Sequence, residues 1–220
     1  MKIGNDTINI LKNFSTINSS ISFNSGNVIR TISEQKNILA QAVTSESFPV
    51  SFGVYDLNQF LGVISLFEDG DLDFQENKVV ISEGSSKCNY TYTDTSMITS
   101  PPKKNIEMPS PEVTFTLSSE DFRSVYNAAN QLSLSEIVVR GDGNTIELVA
   151  KDTKDPSSNE YSRNVGVTDK TFSFVFKSEN LKLISDSSYH VEISTSNIAH
   201  FKGKTVEYWI ATEVGSKYEG

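Results

Sequence analysis

Cysteine is almost absent from this sequence. Cys88 stands alone, so no internal disulfide can form and no pattern points to an oxidising compartment. Histidine is nearly as scarce: His190 and His200 have neither the spacing nor the cysteine partners of a zinc site, and structural roles without a bound metal are expected for both. No apolar run approaches the ~18 residues of a membrane span. The opening Met1-Lys2-Ile3-Gly4-Asn5-Asp6 lacks the apolar stretch of a signal peptide, so the chain is expected to stay where it is made. Triplets such as Asn89-Tyr90-Thr91 are then chance matches to a glycosylation signal. Positive charge is also in deficit, with 19 Lys and Arg against 28 Asp and Glu and a net charge of −9. At face value that balance opposes nucleic-acid binding, which draws on Lys and Arg.

Catalytic signatures are missing as well. There is no phosphate-binding GxxxxGK[ST] loop and no GxGxxG fingerprint, so any nucleotide chemistry must come from partners. Asp69-Gly70-Asp71-Leu72-Asp73 fails as an EF-hand, because Phe74 takes the position of the obligatory Gly and Val80 that of the bidentate Glu. Arg140-Gly141-Asp142 reads as a hairpin turn, and Ser33-Glu34-Gln35-Lys36 lacks the companion motifs of a serine acylase. No nucleophile–base pair stands out. The expectation is a non-enzyme without cofactor.

What the chain does have is β-structure in short runs closed by Gly, Asn and Asp. Residues 21–23 and 28–32 across Asn24-Ser25-Gly26-Asn27 read as a hairpin, and 136–140 with 145–149 across Gly141-Asp142-Gly143-Asn144 read as another. Further strands are expected at 50–54, 78–82, 88–93, 112–117, 171–176, 189–194 and 205–212. Four short segments carry helical periodicity, at 6–17, 56–67, 118–132 and 178–184. The first buries Ile10, Leu11, Phe14 and Ile17, and the second Leu57, Phe60, Leu61 and Ile64. The third buries Phe122, Val125, Tyr126 and Ala129, and the fourth Leu181 and Ile184. They form two pairs, each pair flanking a hairpin and strands, which points to an internal duplication. Between the copies, Pro101, Pro102, Pro109 and Pro111 with Lys103-Lys104 disfavour helix and central strand. The expected organisation is two similar domains, 1–93 and 112–220, joined by an extended connector at 94–111.

Two strings carry a resemblance. Leu11-Lys12-Asn13-Phe14-Ser15-Thr16-Ile17-Asn18-Ser19 after the opening Met1-Lys2-Ile3, and Val54-Tyr55-Asp56-Leu57-Asn58-Gln59-Phe60-Leu61-Gly62-Val63-Ile64-Ser65-Leu66, are similar to the DNA polymerase sliding clamps of T-even-type bacteriophages. The similarity is dense over the first 70 residues or so; beyond them spacing, the proline connector and Glu207-Tyr208-Trp209-Ile210-Ala211-Thr212-Glu213 carry it. The resemblance implies an α+β DNA-clamp fold, with two antiparallel sheets and two short helices in each domain. Three subunits would close into a ring around duplex DNA and tether the replicative polymerase, after a clamp-loader ATPase opens the ring in the cytoplasm of the infected host cell. A role with other partners, such as late transcription factors, belongs to the same picture.

A ring that holds DNA by enclosure needs weak, sequence-blind phosphate contact, so cations need only face the hole. Lys12, Arg123, Lys177 and Lys182 are the expected DNA-facing residues, lying on or beside polar helix faces. For a partner's hydrophobic peptide, the resemblance implies a groove beside the connector, with Ile106, Met108, Tyr208, Trp209 and Ile210 as candidates. Tyr208 and Ile210 also alternate as strand core would, leaving Trp209 on the outward phase. The rival reading is a non-catalytic, β-rich phage structural or adhesin protein, which gives no reason for four helices at duplicated spacing.

Overall fold

Apolar spacing decides the first element. Thr7, Ile10, Leu11, Phe14 and Ile17 fall at helical intervals and form the buried stripe of α1 (Asn5–Ile17). Gly4 at the N-cap has no side chain to offer, and a distant carboxylate takes that role: Glu46 Oε1 accepts from the Gly4 amide at 2.6 Å and Oε2 from the Thr7 hydroxyl at 2.5 Å. Four strands follow: β1 (Ile21–Phe23), β2 (Gly26–Ile32), β3 (Ile38–Phe48) and β4 (Phe52–Val54). Asp56 then caps α2 (Leu57–Ile64), accepting from the Gln59 amide at 2.9 Å. An antiparallel meander of β5 (Asp71–Phe74), β6 (Lys78–Glu83) and β7 (Ser86–Thr91) ends this part of the chain. The computed structural model describes residues 1–102, 104 and 106–220, in two compact units, Met1–Lys104 and Asn105–Gly220. Lys103, part of the expected connector, lies outside the described residues.

The first unit departs from the expected hairpin. β1 forms its ladder with β4, and β2 forms its ladder with β3. Aromatic packing explains the choice. Phe23 stacks on Phe52 at 4.4 Å and 8°, and packs tilted against Phe48 at 4.8 Å, so three apolar rings hold β1 to the strand carrying Phe52. The β2–β3 ladder is irregular, jumping from Gly26 opposite Phe48 to Val28 opposite Val43. Thr44 spans that break, its hydroxyl contacting the Asn27 carbonyl at 3.1 Å and the Glu46 carbonyl at 2.8 Å.

The second unit begins with β8 (Val113–Leu117) and α3 (Ser119–Gln131). Ser118 caps α3 by accepting from the Asp121 amide at 3.1 Å, and Phe122, Val125 and Ala129 are buried while Tyr126 is half-buried. Strands β9 (Glu136–Asp142), β10 (Thr145–Lys151), β11 (Tyr161–Val167) and β12 (Thr171–Lys177) follow. The β9–β10 hairpin forms as expected, with Gly143 at φ +87°, a conformation that favours glycine. Inside β9 the Phe172 ring lies so close to Gly141 that a Cβ there would sit 2.4 Å from it. Next come β13 (Tyr189–Ser194), β14 (Ile198–Lys202), β15 (Val206–Ala211) and β16 (Lys217–Tyr218). The sheets run β11-β10-β9-β12-β16 and β8-β13-β14-β15, antiparallel throughout.

The fourth expected helix does not form. Ser178–Asn180 makes one 3-10 turn, and Leu181 leaves helical geometry at ψ 62°. Leu181 and Leu183 are both buried, whereas residues two apart lie about 200° apart around an α-helix and cannot share a face. Buried Asn180 ties the turn elsewhere, through Nδ2 to Glu213 Oε1 at 3.4 Å.

Beneath these differences the element order repeats: a helix, four strands, a helix or turn, then three strands in the first unit and four in the second. Pairing repeats too. β1 pairs with β4 as β9 pairs with β12, and β2 with β3 as β10 with β11. Met1 and Leu72 exchange two backbone hydrogen bonds of 2.8 Å, so the chain start lies along β5 as β8 lies along β13.

Candidate nucleic-acid and partner interfaces

Opposite its buried stripe each helix presents a polar face. On α1 the exposed residues include Asn9, Lys12 and Thr16, on α2 Asn58 and Gln59, and on α3 Glu120, Arg123, Asn127 and Asn130. Lys12 is therefore an exposed cation in the first unit. Arg123 is exposed in the second and ion-paired to Asp186 at 2.7 Å, with side-chain exposures of 52% and 82% that make the pair weak and readily exchanged. Lys177 ends β12 beside a cleft lined by Ser135, Glu136, Lys154, Ser178 and Glu179. Lys182 is half-buried past the 3-10 turn, its amide donating to the Asn180 carbonyl at 2.9 Å. Lys177 and Lys182 thus lie at a strand end and in a loop rather than on or beside a fourth helix. Asp186 connects Arg123 to that same loop.

Strand β15 sorts the remaining candidates by side. Tyr208 and Ile210 are wholly buried in the interior, where burial pushes the Tyr208 phenol well above its usual range. Its neighbour Tyr189, 6.0 Å away in a T-shaped contact, is pushed up to about 12 by burial and donates to the Ile184 carbonyl at 2.9 Å. Trp209 takes the other face. It stacks on His200 at 4.6 Å and 5°, directly across the β14–β15 register. Both ring nitrogens of His200 meet carboxylates, Nδ1 with Glu192 at 3.2 Å and Nε2 with Glu207 at 2.9 Å. Trp209 is only 7% exposed, and its indole Nε1 is buried without an acceptor among the described residues. Ile106 and Met108 are half-buried in the same unit.

Residues 4–100 match the family model for DNA polymerase processivity factor, and residues 114–214 match the model for gp45 sliding clamp, C terminal. The sliding clamp of Vibrio phage KVP40 is 38% identical over 221 residues, covering 97% of this chain and 99% of that protein. The chain belongs to the sliding-clamp family. The sliding clamp of Enterobacteria phage T4 is 27% identical over the whole of both chains. In fold, this sliding-clamp chain is similar to A. fulgidus PCNA, solved with the C-terminal region of FEN-1 bound, at a TM-score of 0.71, 15% identity and 96% coverage of each chain. Membership in the family removes the rival structural or adhesin reading.

One feature of this sliding-clamp chain escaped the sequence. Arg163 on β11 reaches the first turn of α3, with Nε 2.6 Å from Asp121 and Nη2 2.7 Å from Glu120. Tyr161 adds a hydroxyl contact of 2.7 Å to Ser124, so β11 is fastened to the helix at two points. The two carboxylates raise the guanidinium above its ordinary range. No residue of β11 is fully buried, so its alternation is nearly silent in hydropathy.

Proposed function

We propose that three copies of this chain close head to tail around duplex DNA and tether the replicative polymerase to it, without chemistry of their own. The observation that carries this reading is the duplicated unit, a helix-bearing sheet assembly made twice by one chain. Six such units complete a ring when three chains join. Among the described residues β7 and β11 each pair on one side only, which leaves two different edges able to meet in such a ring. The polar helix faces would look toward DNA, with Lys12, Arg123, Lys177 and Lys182 supplying positive charge. Acidic residues over the rest of the chain would discourage DNA from binding outside.

The stretch 94–111 would act as the connector between domains 1–93 and 112–220. Beside it, Ile106, Met108 and Trp209 would receive a partner's hydrophobic tail, with Tyr208 and Ile210 backing the strand from within. A. fulgidus PCNA, similar in fold and solved with the C-terminal region of FEN-1 bound, supports a peptide-receiving role. A loader ATPase would open the ring in the cytoplasm of the infected host, and factors for late transcription would use the same platform.

The test is topological. After loading onto nicked circular DNA, the protein should co-migrate with the circles through a sizing column and be lost on linearisation. Equal retention on circles and linear DNA would overturn the reading.

A further inference from the structure

We infer that His200 is a protonated clasp that positions Trp209, so that the partner groove proposed above is ordered while the clasp keeps its proton and loosens when the proton leaves. The consequence for a partner rests on that groove reading; the clasp itself rests on the geometry of β13, β14 and β15. His200 lies between two carboxylates, with Nδ1 3.2 Å from Glu192 Oε2 and Nε2 2.9 Å from Glu207 Oε2. A neutral imidazole has one N–H and one lone pair, so it can donate to only one of them. Filling both contacts takes two protons among the three groups, and an imidazolium supplies both as donors. Wherever the second proton sits, its departure leaves a ring lone pair facing a carboxylate. At 7% exposure, the ring has little water at hand to fill the vacated contact.

Trp209 depends on that ring for its place. The indole and imidazole planes are 5° from parallel with centroids 4.6 Å apart, directly across the β14–β15 register. The indole Nε1 is buried without a hydrogen-bond partner among the described residues, so no polar contact anchors the ring. A cation over an indole face is attracted by the ring's quadrupole, and more strongly where water is excluded. Loss of the proton removes that attraction and breaks one of the two carboxylate contacts in the same step. The register places two further ionisable groups on this face of β13, β14 and β15. They are His190 on β13, 4.0 Å from Glu192, and Lys202 on β14, opposite His190 on one side and Glu207 on the other. Thr114 on β8, opposite Glu192, carries no charge. His190 shares Glu192 with His200, so the test includes it.

Trp209 is the chain's single tryptophan, so its emission reports the clasp without labelling. An imidazolium in contact with indole quenches its emission far more than neutral imidazole does, by accepting an electron from the excited ring. In the full-length protein, emission should be weak at acid pH and brighten in one step as pH rises through the histidine range. His200→Gln should abolish the step, Glu207→Gln should move it to lower pH by removing one carboxylate, and His190→Gln should leave it in place. Should His200→Gln not fold, the displacement in Glu207→Gln decides alone. No step in the wild-type protein, a step that survives His200→Gln, or one that stays put in Glu207→Gln would each overturn the inference. A synthetic peptide of the replicative polymerase's C-terminal tail should bind about tenfold more tightly below the step than above it, a dependence lost in His200→Gln. Equal affinity on both sides of the step would also overturn the inference. A peptide that binds at no pH removes the groove reading, while the emission step still decides whether His200 positions Trp209.

Discussion

At the residue scale, a helix end is stabilised from outside the helix. Gly4 leaves the first amides of α1 without a local acceptor, and Glu46 supplies one from β3. Burial alone would raise the Glu46 carboxyl, but the bonds from Thr7 and Gly4 outweigh it and hold the group below its ordinary range. A depressed carboxyl contributes stability above the unfolded-state pKa and loses it as pH falls through the folded value. Glu46→Gln should therefore destabilise the protein by about 1 kcal/mol at neutral pH. Denaturant melts of both proteins should converge as the pH drops through the carboxylate range. A gap that stays constant with pH would show that the charge on Glu46 contributes nothing.

At the element scale, legibility in the sequence tracked burial. The stripe of Ile10, Leu11, Phe14 and Ile17 announced α1, and Leu57, Phe60, Leu61 and Ile64 announced α2, because all eight are buried on one side of a helix. Strand β3 stayed hidden: its second half, Thr44-Ser45-Glu46-Ser47, is polar and falls in the irregular stretch of its ladder with β2. The 178–184 segment misled because Leu181 and Ile184 have helical spacing while buried Leu183 does not. Among site residues, the outward phase of Trp209 was readable from alternation. Its stack on His200 depends on cross-strand register, and its stranded indole N–H on burial in the fold, and neither leaves a mark in one strand's sequence. Arg163 was invisible for a related reason, since its partners Asp121 and Glu120 lie over 40 residues away. Two carboxylates on one guanidinium should keep β11 seated on α3. Arg163→Met should accordingly speed amide hydrogen exchange in β11 and the first turn of α3 while leaving β13, β14 and β15 unchanged. Uniform acceleration across the second unit would mean that Arg163 supports the whole unit rather than this seam.

At the scale of the whole molecule, the excess of acids over bases and the proposed hold on DNA are compatible only if enclosure replaces affinity. A net charge of −9 on each chain opposes tight binding of a polyanion, and three chains multiply that opposition. Closure must then come from contacts that tolerate the repulsion between like-charged subunits. In the proposed ring edge strands would provide them, because backbone N–H and C=O groups along β7 and β11, each paired on one side only among the described residues, can bond without regard to net charge. Light scattering at micromolar concentration should give about three times the 24.3 kDa chain mass. Added salt screens the repulsion between subunits and leaves backbone hydrogen bonds in place, so the trimer should persist or tighten as ionic strength rises. A monomer or dimer at low and high salt alike would remove the closed ring, and a trimer that dissociates as salt is added would assign its closure to ion pairs instead of strand edges.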